Sequence, residues 1–428
     1  MNKTSNIYST IRSAKFVLKP TVRQKEILES FFNLSRALYN ISLYSVKQSK
    51  FGTYELKNGD IVPKIPKEFD LNKFLTKLKK EYGYLFLLPN AYAQATMKSL
   101  SRGFENFYRT LNYPKFKAKK SSTQSFNCYA GAKIDGNHIV LIKPRASDYT
   151  EEDLRIRFKR HKVKYNFDKV TNFTISRENN KYYISFTFYT DIESKETTES
   201  VGIDLGIKDF VICSDGTVYP NMRFYEKSLR KLKISQRRLS KKQKGSKNRE
   251  KARLKVSKQH KKVKNQRNDY QHKISRELAD NFNTICLETL NVKNMVKNKK
   301  LAKVISDVSW SSFVSKLDYK IAENQGKIVK IDRFYPSSKT CSNCGNVKET
   351  LSLSERIYHC NECGFTIDRD LNASINILKT GLVQIEATVA TTGTSLKNQS
   401  LRSSKKTLEN LEKNCETRKT IKNVKNSL

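Results

Sequence analysis

The sequence predicts a multi-domain protein of mixed α/β class, and three observations support this prediction. With 428 residues, the chain is long enough for two to four compact units of roughly 100 to 200 residues each. The hydrophobic period changes near residue 125 from that of helices to that of strands, and later strand-like and helix-like runs alternate. Four cysteines between residues 341 and 363 form two close pairs, which indicates a small metal-binding element.

The first half of the chain is predicted to be a β-domain interrupted by helices. Residues 14–19 form a strand-like run, and Thr21 followed by Gln24 is typical of a helix start. Apolar residues then recur at helical spacing from Leu28 to Ile41. Two further helices are expected at 71–80 and 91–108, and strands of an antiparallel sheet or small barrel at 138–142, 154–158, 173–175 and 182–189.

The polar stretch 190–200 predicts a boundary before a second unit, which opens with a β-hairpin over 201–213. Residues 223–276 hold 22 Lys and Arg against three Asp and Glu, which predicts one or two long basic helices. Strand, helix and strand then follow, in that order, at 282–288, 309–324 and 327–331, and a closing helix is expected at 371–379. Beyond about residue 390 the composition favours a segment without packed structure.

The charge of the chain points to a nucleic-acid partner. Its 83 Lys and Arg oppose 41 Asp and Glu, a formal net charge of +42, far more than solubility requires. Membrane binding ranks low, because no apolar run approaches the length of a membrane span and aromatic residues are scattered through the basic segments. A basic run is most often a solvated face. The one-sided sign of residues 223–276 would cost self-repulsion, so a nucleic-acid contact is the better interpretation.

The paired cysteines predict a zinc site. Cys341, Cys344, Cys360 and Cys363 form two Cys-x-x-Cys pairs with fifteen residues between them, so two tight turns can aim four thiolates at one Zn²⁺. Two disulfides are the alternative, but they need an oxidising compartment, and the opening residues lack the apolar core of a signal peptide. We therefore expect a cytoplasmic protein. His359 is expected to be an ordinary neighbour of the site, and Cys128, Cys213, Cys286 and Cys415 are given no function.

Three acids are candidates for a metal-dependent active site. Asp204 and Glu288 lie on apolar strand-like runs and Asp370 opens a helix, although each alone would be interpreted as a surface residue or cap. Clustered carboxylates repel one another unless a cation neutralises them, and their hard oxygens suit Mg²⁺ or Mn²⁺. Two such ions, roughly 3.5 to 4 Å apart, support phosphodiester hydrolysis without a side-chain nucleophile. The acids expected to be surface residues or caps are Asp209, Asp215, Asp332 and Asp368. Of these, Asp368 is also an alternative to Asp370 for the catalytic role.

These segments resemble known motifs. Residues 202–206, 287–295 and 370–373 are similar to the three motifs of a RuvC nuclease. Residues 334–345 and 310–313 resemble TnpB, a transposon-encoded relative of compact type V CRISPR nucleases. The weaker similarity of residues 23–25 and 114–117 to early helical segments of that family extends the resemblance over most of the chain.

The resemblance implies an RNase H-like (RuvC) nuclease domain with an inserted zinc ribbon, behind a β-barrel wedge domain that a helical recognition lobe interrupts. The implied bounds are 1–20 and 126–198 for the wedge, 21–125 for the lobe, 199–333 and 367–388 for the nuclease domain, 334–366 for the ribbon and 389–428 for a disordered basic tail. That tail departs from the usual ending of the family. The difference does not affect the three acids.

The resemblance also implies a mechanism. A guide RNA transcribed with the transposon end would direct the protein to double-stranded target DNA beside a short motif that the protein itself reads. Asp204, Glu288 and Asp370 would hold Mg²⁺ or Mn²⁺ and cut both strands, and the four cysteines would hold structural Zn²⁺. We expect a monomer associated with a prokaryotic nucleoid. One alternative is an RNA-guided repressor without nuclease activity, which the presence of all three acids disfavours. The other is a transposase that joins strands, which the cysteine segment just before Asp370 disfavours.

Overall fold

The computed structural model describes residues 7–55, 59–121, 123–129, 133–159, 170–193, 197–352 and 354–392. The chain divides into two compact units, one built from residues 9–191 and the other chiefly from residue 192 onward. Within the described ranges, no helix combines the length and the apolar character needed to cross a membrane.

The first unit combines long helices with one large sheet. Its strands are β1 (Ile7–Leu18), β2 (Thr53–Glu55), β3 (Ile61–Pro63), β4 (Thr123–Cys128), β5 (Lys133–Asp135), β6 (His138–Val140), β7 (Arg155–Lys159), β8 (Val170–Glu178) and β9 (Lys181–Glu193). Its helices are α1 (Val22–Lys47), α2 (Glu68–Glu81), α3 (Asn90–Thr110) and the short α4 (Glu151–Leu154). Seven strands form a sheet in the order β4-β8-β9-β1-β7-β6-β5, and β2 pairs with β3.

Local sequence signals explain how this unit forms. The hydroxyl of Thr21 accepts a hydrogen bond from the backbone N–H of Gln24, whose side chain accepts one from Thr21 N–H, so the predicted capping box starts α1. Phe31 of α1 then packs edge-on against Phe126 of β4, with ring centroids 5.8 Å apart. The predicted helices and strands of this half are confirmed. The sheet order places β4 and β5 at opposite edges.

The second unit alternates strands and helices. Its strands are β10 (Ser200–Asp204), β11 (Asp209–Cys213), β12 (Val218–Pro220), β13 (Thr284–Glu288), β14 (Lys327–Ile331), β15 (Ile357–His359) and β16 (Thr366–Asp368). Its helices are α5 (Phe224–Ser240), α6 (Lys247–Asn281), α7 (Val292–Met295), α8 (Ala302–Val308), α9 (Trp310–Glu323) and α10 (Arg369–Thr392). Five strands form a sheet in the order β12-β11-β10-β13-β14, in which β10, β13 and β14 are parallel.

Helices cover both faces of this five-stranded sheet. In β13, Ile285 and Leu287 join a core cluster with residues of α6 and α9, whereas Cys286 between them joins a cluster with residues of α10. Successive side chains of a strand point to opposite faces, so a strand buried on both sides is apolar throughout. Trp310, at the start of α9, is 2% exposed and belongs to the core cluster that α6 and α9 share with β13.

The closing helix is longer than the sequence predicted. It spans Arg369–Thr392 instead of 371–379, so the predicted tail at 389–428 is helical in its first four residues, and residues 393–428 lie outside the described part. Leu371 and Ile375 are only half-buried, whereas the polar Asn372 and Asn376 are buried. Their amides are buried because they hydrogen-bond to backbone groups, while Ile377 and Leu378 of the same helix join the apolar core.

Candidate active site and cysteine cluster

Two of the three candidate acids lie at the same edge of the five-stranded sheet. Asp204 is the last residue of β10 and Glu288 is the last residue of β13. The strands are parallel and Ile203 is paired with Leu287. Asp204 and Glu288, the next residue of each strand, therefore lie side by side at the ends of neighbouring strands. Neighbouring strands lie about 4.8 Å apart, which places both side chains on one short rim. The carboxyl edge of a parallel sheet is a usual position for a binding site.

Helix α10 brings the third acid to this rim. A Cβ atom on Gly202 would overlap the carbonyl oxygen of Ser374 and lie 2.6 Å from the amide nitrogen of Leu378, so only glycine allows the backbones of β10 and α10 to approach this closely. Gly202 and Asp204 face the same side of the strand because they are two residues apart. Asp370 and Ser374 are four residues apart and share one face of the helix. Asp370 is therefore carried toward Asp204.

The electrostatics of Asp204 reflect this convergence. Burial and, after it, the negative charges of Glu288 and Asp370 raise the pKa of Asp204 to about 7, against the opposing effects of the Arg369 guanidinium and the Leu205 backbone N–H. The carboxyl group is thus partly protonated near neutral pH when no cation is bound. Crowded carboxylates that resist ionisation are typical of sites built for a positive ligand.

The other two acids have polar partners. The hydroxyl of Ser337 donates a hydrogen bond to Glu288 Oε1. Arg369 Nε donates to Asp370 Oδ1 at 3.0 Å, and the guanidinium of Arg356 lies 3.9 Å from Asp370 Oδ2. These contacts orient two carboxylates and partly balance the negative charge of the rim.

The acids expected to be surface residues or caps have local roles. Asp368 Oδ1 accepts the backbone N–H groups of Asp370 and Leu371 at 3.0 and 3.1 Å, so Asp368 caps α10. Asp215 accepts the N–H of Thr217 and shapes the turn after β11. Asp332 accepts a backbone N–H in the loop after β14, and Asp209 lies 3.8 Å from the side-chain amine of Lys208.

The four paired cysteines converge on one point. Among the described residues they are the only group of three or more potential metal ligands whose ligand atoms all lie within 4.8 Å of one another. Cys341 and Cys363 have sulfurs 3.7 Å apart, and those of Cys344 and Cys360 are 3.6 Å apart. Four sulfurs at about 2.3 Å from a tetrahedral Zn²⁺ are about 3.8 Å from each other, whereas bonded sulfurs are about 2.05 Å apart. The arrangement fits a metal and excludes the disulfide alternative in this structure.

Each cysteine pair sits in the same kind of turn. The N–H of Gly345 donates to the carbonyl of Cys341 at 2.9 Å, and that of Gly364 donates to the carbonyl of Cys360 at 3.0 Å. Both glycines have positive φ, +80° and +68°, which favours glycine over other residues. His359 lies outside the cluster as predicted, since its Nδ1 is 2.8 Å from the hydroxyl oxygen of Thr366.

A buried polar contact joins the cysteine cluster to the helix of the third acid. Asn372 Oδ1 accepts the N–H of Ser342, which lies between Cys341 and Cys344, at 2.9 Å, and its Nδ2 donates to the carbonyl of Thr340 at 2.7 Å. Asn376, one helical turn later, donates to the carbonyls of Ser337 and Thr340 at 2.8 and 2.6 Å. These hydrogen bonds attach the first cysteine turn to the start of α10. The first of them are made by Asn372, two residues after Asp370.

The basic segment forms the two helices α5 and α6. Leu232 of α5 and Val256 of α6 are buried, and Gln259 of α6 donates to the hydroxyl of Ser235 of α5 at 3.0 Å. Lys251, Lys258 and Lys262 are exposed on α6, as the prediction of a charged contact face requires.

Several residues of the site could not be found from the sequence. Ser337 lies within the 334–345 segment, but nothing in that segment indicates its contact with Glu288, and Arg356 carries no motif and reaches Asp370 only through the fold. Asn372 and Asn376 left one usable signal, because two amides spaced i, i+4 in an otherwise apolar helix are unusual on a buried face.

Family models match two parts of the chain. Residues 183–299 match the OrfB_IS605 family, described as a probable transposase, and residues 310–377 match the Cas12f1-like TNB domain. Among solved structures, a Cas12f1 chain in a complex with sgRNA and target DNA aligns with 86% of this chain and 98% of its own length, with a TM-score of 0.57 and 14% identity. The chain therefore has the fold of a Cas12f1-like protein.

Curated relatives identify the family. A Streptomyces pristinaespiralis protein named as an RNA-guided DNA endonuclease is 33% identical over 377 residues, which cover 87% of this chain and 89% of that protein. The TnpB-like protein L770 of Acanthamoeba polyphaga mimivirus is 27% identical over 405 residues, 89% of this chain and 75% of the relative. The chain belongs to the TnpB family, as the resemblance in the sequence indicated.

Proposed function

We propose that the chain is an RNA-guided, Mg²⁺-dependent DNA endonuclease with a single cutting site formed by Asp204, Glu288 and Asp370 in an RNase H-like (RuvC) domain. The observation that carries this proposal is the position of Asp204 at the end of a parallel strand, partly buried and within electrostatic reach of the other two acids. The names of the relatives, and the RNA and DNA in the Cas12f1 complex, support the guide and the substrate.

The three acids suit a divalent cation. They offer only hard oxygen donors, which Mg²⁺ and Mn²⁺ prefer, and burial together with the charges of Glu288 and Asp370 raises the pKa of Asp204, so a cation there would relieve an unfavourable negative charge. Bound there, divalent ions would supply an activated water and charge stabilisation for the leaving oxygen of a phosphodiester. The residues of the chain do the positioning. Ser337 orients Glu288, and Arg369 and Arg356 hold Asp370 in place.

The remaining parts of the chain fit the guided mechanism. Exposed lysines on α6 would hold the nucleic-acid backbone, and the four cysteines would hold structural Zn²⁺ beside α10. The seven-stranded sheet would be the wedge and α1 to α3 the recognition lobe, with the domain bounds predicted from the sequence. A transposon-derived guide, a short motif read by the protein and a monomeric state complete the proposal.

A direct test recovers the guide. The protein is purified from cells that carry its flanking DNA, the bound RNA is sequenced, and the guide is reprogrammed against a plasmid library. We expect Mg²⁺-dependent double-strand breaks at matching sites beside one short motif. Site-specific binding without cutting would favour the repressor instead, and strand joining would favour the transposase.

The affinity for RNA is expected to fall steeply with salt. Contacts to phosphates release counterions, so a protein with about six to ten such contacts loses about 10³- to 10⁵-fold in affinity between 50 and 200 mM salt. Filter binding at four salt concentrations measures the slope. A triple variant, Lys251→Gln, Lys258→Gln and Lys262→Gln, should have a shallower slope, and a salt-independent affinity would contradict backbone-dominated binding.

Cation binding is expected to depend on pH. The folded-state pKa of Asp204, about 7, lies above its ordinary value of 3.8, so the protonated form predominates below about pH 7 and must lose its proton before a cation binds. The Mg²⁺ concentration at half-maximal cleavage should therefore fall roughly tenfold per pH unit from pH 5.5 to 7 and level off above.

The same shift affects stability without a cation. The contribution of the raised Asp204 pKa to the free energy of unfolding is fully present below pH 3.8. It is lost as the pH rises to about 7, because the unfolded chain releases the proton at lower pH than the folded chain does. Thermal melts of the metal-free protein should reveal this loss, and Asp204→Asn should remove that part of the pH dependence. Identical pH profiles for the two proteins would contradict the raised pKa.

A further inference from the structure

The loop after β14 presents an exposed aromatic residue. Phe334 is 80% exposed, whereas the next residue, Tyr335, packs against the cluster beneath α10. Arg333 is also exposed, and its guanidinium lies over the Phe334 ring, 4.9 Å from the ring centroid. Asp332 Oδ1 accepts the N–H of Phe334 at 2.7 Å, which fixes the turn that directs this ring outward.

Both ends of this loop are attached to Glu288. At the start, Ile331 of β14 stands opposite Glu288 in the strand register, and at the end the hydroxyl of Ser337 donates to the Glu288 carboxylate. Phe334 is three residues from each of these anchors, so its Cα lies within about 10 Å of both. The exposed ring therefore lies on the loop whose two ends both contact Glu288, one of the three acids.

We propose that Arg333 and Phe334 form a stacking subsite that holds one unpaired DNA base beside the cutting site. This rests on the proposed function, because it takes the acids to be the place where a DNA strand is cut. An open aromatic face accepts any base, so the subsite holds a strand without reading its sequence. The Arg333 guanidinium lies over one face of the ring, so the base stacks on the other face and the guanidinium attracts the phosphate next to it. A duplex keeps its bases stacked inside, so the subsite selects an unwound strand.

Tryptophan fluorescence tests this subsite directly. The chain has one tryptophan, Trp310, which is 2% exposed, so Phe334→Trp adds an accessible indole to a shielded one. The full-length, zinc-loaded protein carries Asp204→Asn to prevent cutting. A single-stranded DNA oligonucleotide is expected to quench at least half of the added emission, whereas an abasic oligonucleotide of the same length and a duplex leave most of it. Equal quenching by the abasic strand would overturn the proposal.

A matched control separates stacking from general binding to a basic protein. Val383 of α10 is 58% exposed and lies 13 residues beyond Asp370, about 20 Å along the helix. Val383→Trp, in the same Asp204→Asn background, should show no difference between the normal and abasic strands. The same base-dependent quenching at both positions would also overturn the subsite.

Cleavage kinetics provide a second measurement. Phe334→Ala is expected to raise KM about tenfold with kcat nearly unchanged, since loss of one stacked base removes uniform binding. Phe334→Tyr should restore KM and Phe334→Leu should not; rescue by leucine would indicate apolar packing in place of stacking. If the wild-type protein does not cut, the proposed function fails, while the quenching result still decides whether the subsite exists.

Discussion

Asp204→Asn is expected to abolish DNA cleavage while the protein still binds RNA and target DNA. Asparagine keeps the size of the side chain and removes the charge that, with Glu288 and Asp370, would hold the cations. The loss of several kcal/mol of charge stabilisation corresponds to a fall in rate of about 10³-fold or more. Single-turnover cleavage and gel-shift binding, measured on the same guided complex, give the two results separately.

Asp215→Asn is the matched control for this prediction. Asp215 lies in the turn between β11 and β12 of the same sheet, and its Oδ1 accepts the N–H of Thr217 at 2.8 Å, a contact that asparagine can also make. This variant should cut at the wild-type rate. Cleavage by Asp204→Asn at the wild-type rate would remove Asp204 from the proposed site.

Cys341→Ser is expected to release the metal and to destabilise the second unit. Four thiolates bind structural Zn²⁺ with an apparent free energy of about 10 to 16 kcal/mol near neutral pH, and much of that energy stabilises the folded state. The zinc content measured by elemental analysis should fall from one zinc per chain to near zero. Because Asn372 and Asn376 join the first cysteine turn to α10, cleavage should fall as well.

His359→Ala is the control for zinc loss. His359 is next to Cys360 in sequence, but its ring contacts Thr366 and lies outside the sulfur cluster. This variant should keep its zinc and most of its thermal stability. Full zinc content in Cys341→Ser would mean that the four sulfurs do not bind the metal.

The local elements of the fold were predictable because their signals are local. The capping box at Thr21 and Gln24 starts a helix whatever surrounds it, and two Cys-x-x-Cys turns need only a few residues to set their geometry. Asp204 and Glu288 were candidates because acids at the ends of apolar strand-like runs are conspicuous. Their proximity could not be derived from spacing, since 84 residues and two basic helices separate them.

The parts that escaped prediction depend on distant contacts. The burial of Asn372 and Asn376 in α10 is one example, because their amides donate to backbone carbonyls and a hydrophobic pattern does not reveal such partners. Ser337 and Arg356 act on carboxylates that only the fold brings near them, those of Glu288 and Asp370. The order of the seven strands in the first unit reflects pairing between segments far apart in sequence, such as β1 with β7.

The contact at Gly202 has a consequence for how this unit tolerates mutation. Main-chain atoms of β10 and α10 touch there, and Gly381 makes a similar approach, since a Cβ on it would lie 2.8 Å from the Cβ of Cys286. The spacing between the first and third acids is thus fixed by peptide backbone, which has the same dimensions in every sequence. A side chain added at Gly202 would therefore push α10 away from β10 and move Asp370 away from Asp204, although neither acid is changed.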